Sequence, residues 1–518
     1  MASTSGKAYD RRWWTLIVLS ISLLVISLDN TILNVALPTI ERDLGASGSE
    51  LQWIVDSYTL VFAGLLLTMG SLGDRFGRRR ALAAGLLVFG TGSLLSALST
   101  GADMLIASRA LMGLGGALIM PSTLSILTNV FPAEERPKAI GIWAAVAGLG
   151  IAIGPVAGGW LIEQFDWTWV FLVNLPIVAL ALAGAAALVP ESRNPEQARL
   201  DPLGALLSTA GLGVLTWAII EAGGERGWTD PFTLAGFGVS LMALAAFVAW
   251  ELRTRSPMLD VRLFRVRRFS GASVSIGLVF FSLFGAIFFL TMYLQEVKDY
   301  GALSAGLRVT PLAIGLVLGG PASAKLAGRI GTRIVVAAGL TIVAAAMLLM
   351  SGANAETGYG LIAASLVMMG FGMGTTMAPA TESIMSSLPL AHAGVGSAMN
   401  DTVRMVGGTL GVAILGSLLS SSYGAGMEGA VQGLPAQAGA AAQGSIGGAG
   451  AVAERLGGDA GVALSRAAET AFSSAMGSTL VVAAGVALAG ALVALSVLPG
   501  RERERAEKTA VIAEAAAA

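Results

Sequence analysis

Apolar residues in this chain come in long runs separated by short polar punctuation, without two-residue alternation. An α-helix needs about 20 consecutive apolar residues to cross a hydrocarbon core. About fourteen such runs can be placed, over 13–37, 51–72, 81–99, 104–130, 138–162, 169–189, 203–221, 232–251, 269–293, 304–327, 333–351, 358–387, 394–421 and 475–498. The pattern predicts an all-α integral membrane protein. A β-barrel would show alternating segments of roughly ten residues. The first run is too long for a signal-peptide core and ends in Leu37-Pro38 rather than a small-residue cleavage site. It reads as a retained helix.

The polar punctuation divides the chain. Residues 1–12 form an N-terminal segment, 13–189 a six-helix bundle, and 190–268 a linker carrying two extra transmembrane helices. Residues 269–498 form a second six-helix bundle with a Gly/Ala-rich external loop over 422–474, and 499–518 a tail. The loop composition fits a short helix around 451–472 or disorder. Ala327-Gly328-Arg329-Ile330-Gly331-Thr332-Arg333 echoes Gly73-Asp74-Arg75-Phe76-Gly77-Arg78-Arg79, each between the second and third helices of its bundle.

Composition sharpens this picture. The 518 residues are 55% hydrophobic and only 13% charged, about half the charge of a soluble chain. Mean hydropathy is +0.75. With the N-terminus inside, most Lys and Arg fall on the cytoplasmic side: Arg11 and Arg12, Arg75 to Arg80, Arg253 to Arg268, and Arg501 to Lys508. This bias predicts a multi-pass cell-membrane protein with both termini in the cytoplasm. The clusters read as topology signals, not as a nucleic-acid footprint. There is no cysteine, which excludes disulfides and thiolate metal sites. No nucleophile–base pair, metal-ligand cluster or phosphate loop stands out, so neither an enzyme nor a metal or cofactor is expected.

The stretch Gly70-Ser71-Leu72-Gly73-Asp74-Arg75-Phe76-Gly77-Arg78-Arg79-Arg80 resembles the loop between the second and third helices of the major facilitator superfamily. Leu28-Asp29-Asn30-Thr31 to Pro38, Arg109-Ala110-Leu111-Met112-Gly113 to Ala117, Gly150-Ile151-Ala152-Ile153-Gly154-Pro155-Val156-Ala157-Gly158-Gly159 and Pro257-Met258-Leu259-Asp260 to Phe264 resemble its fourteen-helix drug:proton antiporter branch. That branch includes pumps for quaternary ammonium compounds. The resemblance implies two six-helix bundles plus two linker helices, and alternating access. It implies a cytoplasmic gate motif at Gly70, Asp74, Arg75, Gly77, Arg78 and Arg79. It also implies an antiporter motif at Gly150, Gly154, Pro155, Gly158 and Gly159 that limits proton leak. Physically, Gly150, Gly154 and Gly158 form one smooth helical face suited to close helix contact, so tight packing alone is the competing reading. Pro155 adds a kink.

A charge at a membrane-helix centre costs about 2.5–3.5 kcal/mol on insertion scales. Six candidates carry that cost. Asp29, Asp56 and Arg109 lie roughly 8–14 Å from the outer helix ends of the first bundle. Glu382, Asp401 and Arg404 lie roughly 8–15 Å from the inner ends of the second. Each set has two acids and one arginine. The arginine stays charged and balances one acid, leaving the other for a proton or a cationic substrate. Pairing of Asp401 with Arg404, three residues apart on one helix face, is the competing reading. Arg308 and Glu221 lie nearer helix ends, and the sole histidine, His392, falls in a loop.

Phe280, Phe284 and Phe288, and likewise Met369, Met373 and Met377, recur every four residues, so each triplet marks one helix face. In the family these helices line the central cavity. Aromatic faces attract organic cations and methionine adapts to irregular shapes; ordinary packing surface is the alternative. Together these features predict a proton-coupled multidrug efflux antiporter exporting lipophilic, often cationic, drugs. Its energy source is the proton gradient, its partners are the substrates, protons and lipid, and its transport unit is a monomer. One charge crossing 100 mV carries about 2.3 kcal/mol, more than the roughly 1.4 kcal/mol of a tenfold gradient. The alternatives are a dedicated exporter of one metabolite, antibiotic or lipid and, more remotely, a non-transporting membrane sensor.

Overall fold

Inside a bilayer every backbone N–H and C=O must find a partner within the protein, and a helix satisfies them locally. The computed structural model describes residues 10–44, 46, 48–193, 201–223, 226–254, 257, 259–388 and 393–500, and no strand occurs among them. His392 and the tail beyond Gly500 lie outside the described residues.

The first set contains α1 (Arg12–Leu44), α2 (Gly48–Phe76), α3 (Arg78–Ala97), α4 (Ala102–Val130), α5 (Arg136–Gln164), α6 (Trp169–Leu172) and α7 (Asn174–Leu188). The last two form one crossing broken by a turn at Val173. The inserted pair is α8 (Pro202–Gly223) and α9 (Pro231–Glu251). The second set contains α10 (Arg267–Met292), α11 (Ala302–Ile330), α12 (Thr332–Met350), α13 (Tyr359–Met385), α14 (Ala393–Met427), α15 (Ala436–Gly444), α16 (Ile446–Leu456) and α17 (Gly458–Val497). Thirteen spans among the described residues are long and apolar enough to cross a membrane, one fewer than the sequence predicts. The difference falls on α5, whose 29 residues pack between α1 and α11.

Local chemistry sets the helix ends. Asp230 caps α9, accepting from the N–H groups of Phe232 and Thr233, with Pro231 in the first turn. Gly77 and Gly331 make the turns after α2 and α11 with φ of 114° and 89°, a region that favours glycine. These matching turns give the echo between the two sets a structural counterpart. Between α4 and α5, Glu135 accepts from Arg12 Nε at 2.7 Å and Nη2 at 3.0 Å. Those bonds hold its carboxyl below the usual carboxylate range.

Residues 422–474 are helical over most of their length. α14 runs on to Met427, α15 and α16 follow, and α17 begins at Gly458 rather than near 475. Alanine is the strongest helix former, and an apolar side completes the argument: Met427, Ala442, Ile446, Ala449, Val452, Ala453 and Phe472 are all buried. Tyr423 Oη donates to the Ala442 carbonyl at 3.0 Å. At 40 residues, α17 is about 60 Å long, so it projects well beyond a hydrocarbon core of about 30 Å.

α5 packs against α11, and α2 and α4 pack against α14, joining the two sets along a seam. The inserted pair leans across that seam. Leu67 of the first set, Leu212 and Phe247 of the pair, Leu259, and Val395 and Ala398 of the second set share one apolar cluster.

Candidate functional site

Polar groups inside this apolar bundle gather in three places. The first ties the first set together. Arg109 Nη1 donates to Asp29 Oδ2 at 2.5 Å, and Arg109 Nε donates to the Ile54 carbonyl at 3.2 Å. The guanidinium stands 4.5 Å from the Tyr58 ring centroid. Asp29 Oδ1 accepts from Asn174 Nδ2 at 2.9 Å, and Asn174 also donates to Ser93 Oγ at 3.1 Å. Asp29, Asn174 and Ser93 are 0% exposed and Arg109 1%. The network joins α1, α2, α3, α4 and α7, and makes Asp29 the acid that Arg109 balances. Asp56 is half-buried on α2, two residues from Ile54. Asn174 escaped the sequence reading, although a polar amide within an apolar run carries the same signal as the acids.

The second cluster sits at the seam. Arg404 Nη1 donates to Asp401 Oδ1 at 3.3 Å, and Asn400 Nδ2 donates to the same oxygen at 3.2 Å. Thr381 Oγ1 holds Asn400 Oδ1 at 3.1 Å, and half-buried Glu382 follows Thr381 on α13. Asp401 Oδ2 is buried with no hydrogen-bond partner among the described residues. The Arg404 guanidinium lies 4.7 Å from the Phe280 ring centroid and 5.7 Å from that of Trp143. Trp143 is on α5, so this cluster draws on both sets. Trp143 was also missed; a tryptophan deep within a span, away from the interfacial belts, was the available signal. Asp401 and Arg404 do pair, but one carboxylate oxygen remains open.

The third cluster joins the two sets at the Gly70–Arg80 end. Asp74 Oδ1 accepts from Gly394 N at 2.9 Å and Oδ2 from Val395 N at 3.1 Å. A carboxylate from α2 thus caps the N-terminus of α14, where exposed N–H groups and the helix dipole favour negative charge. Arg78 holds the same carboxylate through Nη2 at 2.6 Å and Nε at 2.8 Å. Gly70 permits this approach, because a Cβ there would stand 2.6 Å from the Gly394 carbonyl oxygen. Arg79 and Arg80 lie 3.7 and 3.8 Å from Glu191, and the Arg75 guanidinium covers the Phe76 ring at 5.5 Å. At the repeated position Gly328 faces open space, so this latch has no counterpart there.

The remaining predicted residues are spread out. Gly150 and Gly158 lie against α1: an added Cβ would meet Ser27 at 2.6 Å and Ile32 at 2.8 Å. Gly154 lies against Thr31, and Gly159 faces Leu303 of α11. Phe284 packs on Gly408 and on Phe280, with ring centroids 5.5 Å apart. Met373 and Met377 are buried in the core. Met369 borders a small apolar pocket inside the second set, with Leu290, Met347, Met350 and Met476. α13, which carries the methionine face, packs against α10 as well as α11 and α12. The side chains of Pro155 and Phe288 lie outside the described residues.

Comparison with known proteins adds a second line of observation. The profile of the Major Facilitator Superfamily matches residues 19–412. The multidrug efflux pump LfrA of Mycolicibacterium smegmatis is 38% identical over 484 residues, 93% of this chain and 95% of that protein. The puromycin resistance protein pur8 of Streptomyces alboniger is 36% identical over 420 residues, 80% of this chain and 83% of that one. The crystal structure of the human organic anion transporter MFSD10 (TETRAN) superposes with a TM-score of 0.62 at 16% identity, covering 93% of this chain and 99% of that one.

Proposed function

The chain belongs to the Major Facilitator Superfamily, and from that premise we propose that it is a proton-coupled multidrug efflux antiporter. It exports lipophilic, often cationic, drugs across the cell membrane by alternating access, with both termini in the cytoplasm. The observation that carries this reading is Asp401 at the seam, with a buried oxygen that has no hydrogen-bond partner among the described residues, paired with an Arg404 that lies over the rings of Phe280 and Trp143. A carboxylate so placed accepts either a proton or an organic cation, and exchange requires that the two compete. The names of the relatives, a multidrug efflux pump and a puromycin resistance protein, support drug efflux.

In this reading the Gly70–Arg80 end faces the cytoplasm, as its cations require, and the Asp74 cap on α14 shuts it. Asp401 lies seven residues beyond Gly394 on the same helix, about 10 Å along the axis. Opening the cytoplasmic side breaks the cap and exposes Asp401 to cargo. Protons arriving from the other side displace the cargo and reset the site.

Proteoliposomes with an acidic lumen test this. Tetraphenylphosphonium, whose permanent charge removes weak-base trapping, is expected to accumulate inside against its own gradient. Dissipating the proton gradient or substituting Asp401→Asn should abolish that accumulation. Gradient-independent movement, or none for any member of a panel of cationic and neutral drugs, would reject the antiporter. Uptake of a single antibiotic alone would favour the dedicated exporter.

A further inference from the structure

Arg109 and Arg404, the arginines paired with intramembrane aspartates, are held very differently. Arg109 makes a short ion pair of 2.5 Å with Asp29 and a second bond to Ile54, at 1% exposure. Arg404 makes one protein hydrogen bond among the described residues, at 3.3 Å, although a guanidinium carries five N–H donors. That distance is long for a charge-assisted bond, which falls near about 2.7–2.9 Å. Its guanidinium also lies over the ring faces of Phe280 and Trp143. Arg404 is therefore caged more than bonded.

We propose that Arg404 is a resident occupant of the cation site, and that a lipophilic organic cation enters by displacing its guanidinium from the cage of Asp401, Phe280 and Trp143. This deepens the exporter reading above and rests on it. A quaternary ammonium or phosphonium cation donates no hydrogen bond. It is recognised by ring faces and a carboxylate, the same groups that surround Arg404. One wall of the cage, Trp143 on α5, belongs to the first set, and the other, Phe280 on α10, to the second. The cage is thus complete only when the two sets are seated together. Three methylenes let the guanidinium swing among staggered rotamers, and its side chain is 11% exposed against 1% for Asp401, which leaves it a way out. While the guanidinium is in place the carboxylate is balanced, so a small inorganic cation gains little by entering. Neutral drugs do not compete for the cage.

Equilibrium binding of tetraphenylphosphonium to the full chain in lipid nanodiscs, at neutral pH and without a gradient, tests the displacement. Arg404→Gln should bind at least about tenfold tighter than wild type, the scale of a vacated cation–π site. Arg404→Lys, a poorer fit between the rings, should fall between them and serves if the glutamine variant does not fold. Adding Trp143→Leu to Arg404→Gln should cancel the gain, and binding of neutral chloramphenicol should not move in any variant. If wild type binds the cation and Arg404→Gln binds it no tighter, the resident-occupant proposal falls and the exporter reading stands. If neither protein binds any organic cation, cationic cargo falls with it.

Discussion

Asp29 and Asp401 are both intramembrane aspartates, yet their surroundings assign them different work. Asp29 has both oxygens engaged, by Arg109 and Asn174, whereas Asp401 keeps one oxygen open. Removing one member of a buried pair leaves an uncompensated charge and costs about 3–5 kcal/mol. Arg109→Gln should therefore lower thermal stability in detergent sharply, and Asp29→Asn in the same chain should restore most of the loss. A double variant no more stable than Arg109→Gln alone would mean that the two groups do not compensate each other. The charged half of this cluster was legible in the sequence, because a charge in an apolar run announces its own cost. Its completion by Asn174 was not: the amide lies 145 residues from Asp29 along the chain, and only the packing of α7 on α1 and α3 brings them together. Trp143 was hidden for the same reason, since its aromatic face acquires meaning only beside Arg404 of the other set.

At the scale of helices, the four-residue spacing places Gly150, Gly154 and Gly158 on one face of α5, and the structure gives the direction in which that face points. Gly150, Gly154 and Gly158 meet α1 within the first set, while Gly159 turns toward Leu303 across the seam. An added methyl at Gly159 would sit 3.6 Å from Leu303, an ordinary contact, whereas at Gly154 it would fall on Thr31. Gly159→Ala should leave stability and transport near wild type. Gly154→Ala should force α1 and α5 apart and cost about 1–3 kcal/mol, the usual penalty of overpacking, readable by thermal unfolding. A Gly154→Ala chain as stable as wild type would reject close packing as the role of this face. The stretch 422–474 shows the opposite limit. Its Gly- and Ala-rich composition looks featureless in sequence, because small residues carry weak periodic signals. Its helices emerge only when Met427, Ile446, Val452 and Phe472 find one another.

At the scale of the molecule, the proposed alternating access makes a demand that no single helix can meet: in that reading the contacts around Asp74 break once per cycle. They include more than the capping bonds to Gly394 and Val395. The inserted pair adds an apolar cluster that reaches from Leu67 of the first set to Val395 of the second, so opening at this end must also separate those side chains or carry the pair with one set. The chain contains no cysteine, and a thiol pair introduced here would react alone. Leu67→Cys with Val395→Cys, joined by a short bis-methanethiosulfonate reagent, should cross-link in the arrangement described. The linked protein should lose gradient-driven transport while still folding and binding lipid as before. Reductant should cleave the link and restore transport, and either cysteine alone should be insensitive to the reagent. Full transport by completely linked protein would mean that this seam stays shut throughout the cycle. The Asp74 cap would then be a permanent brace between the two sets, and cargo would have to reach Asp401 by another path.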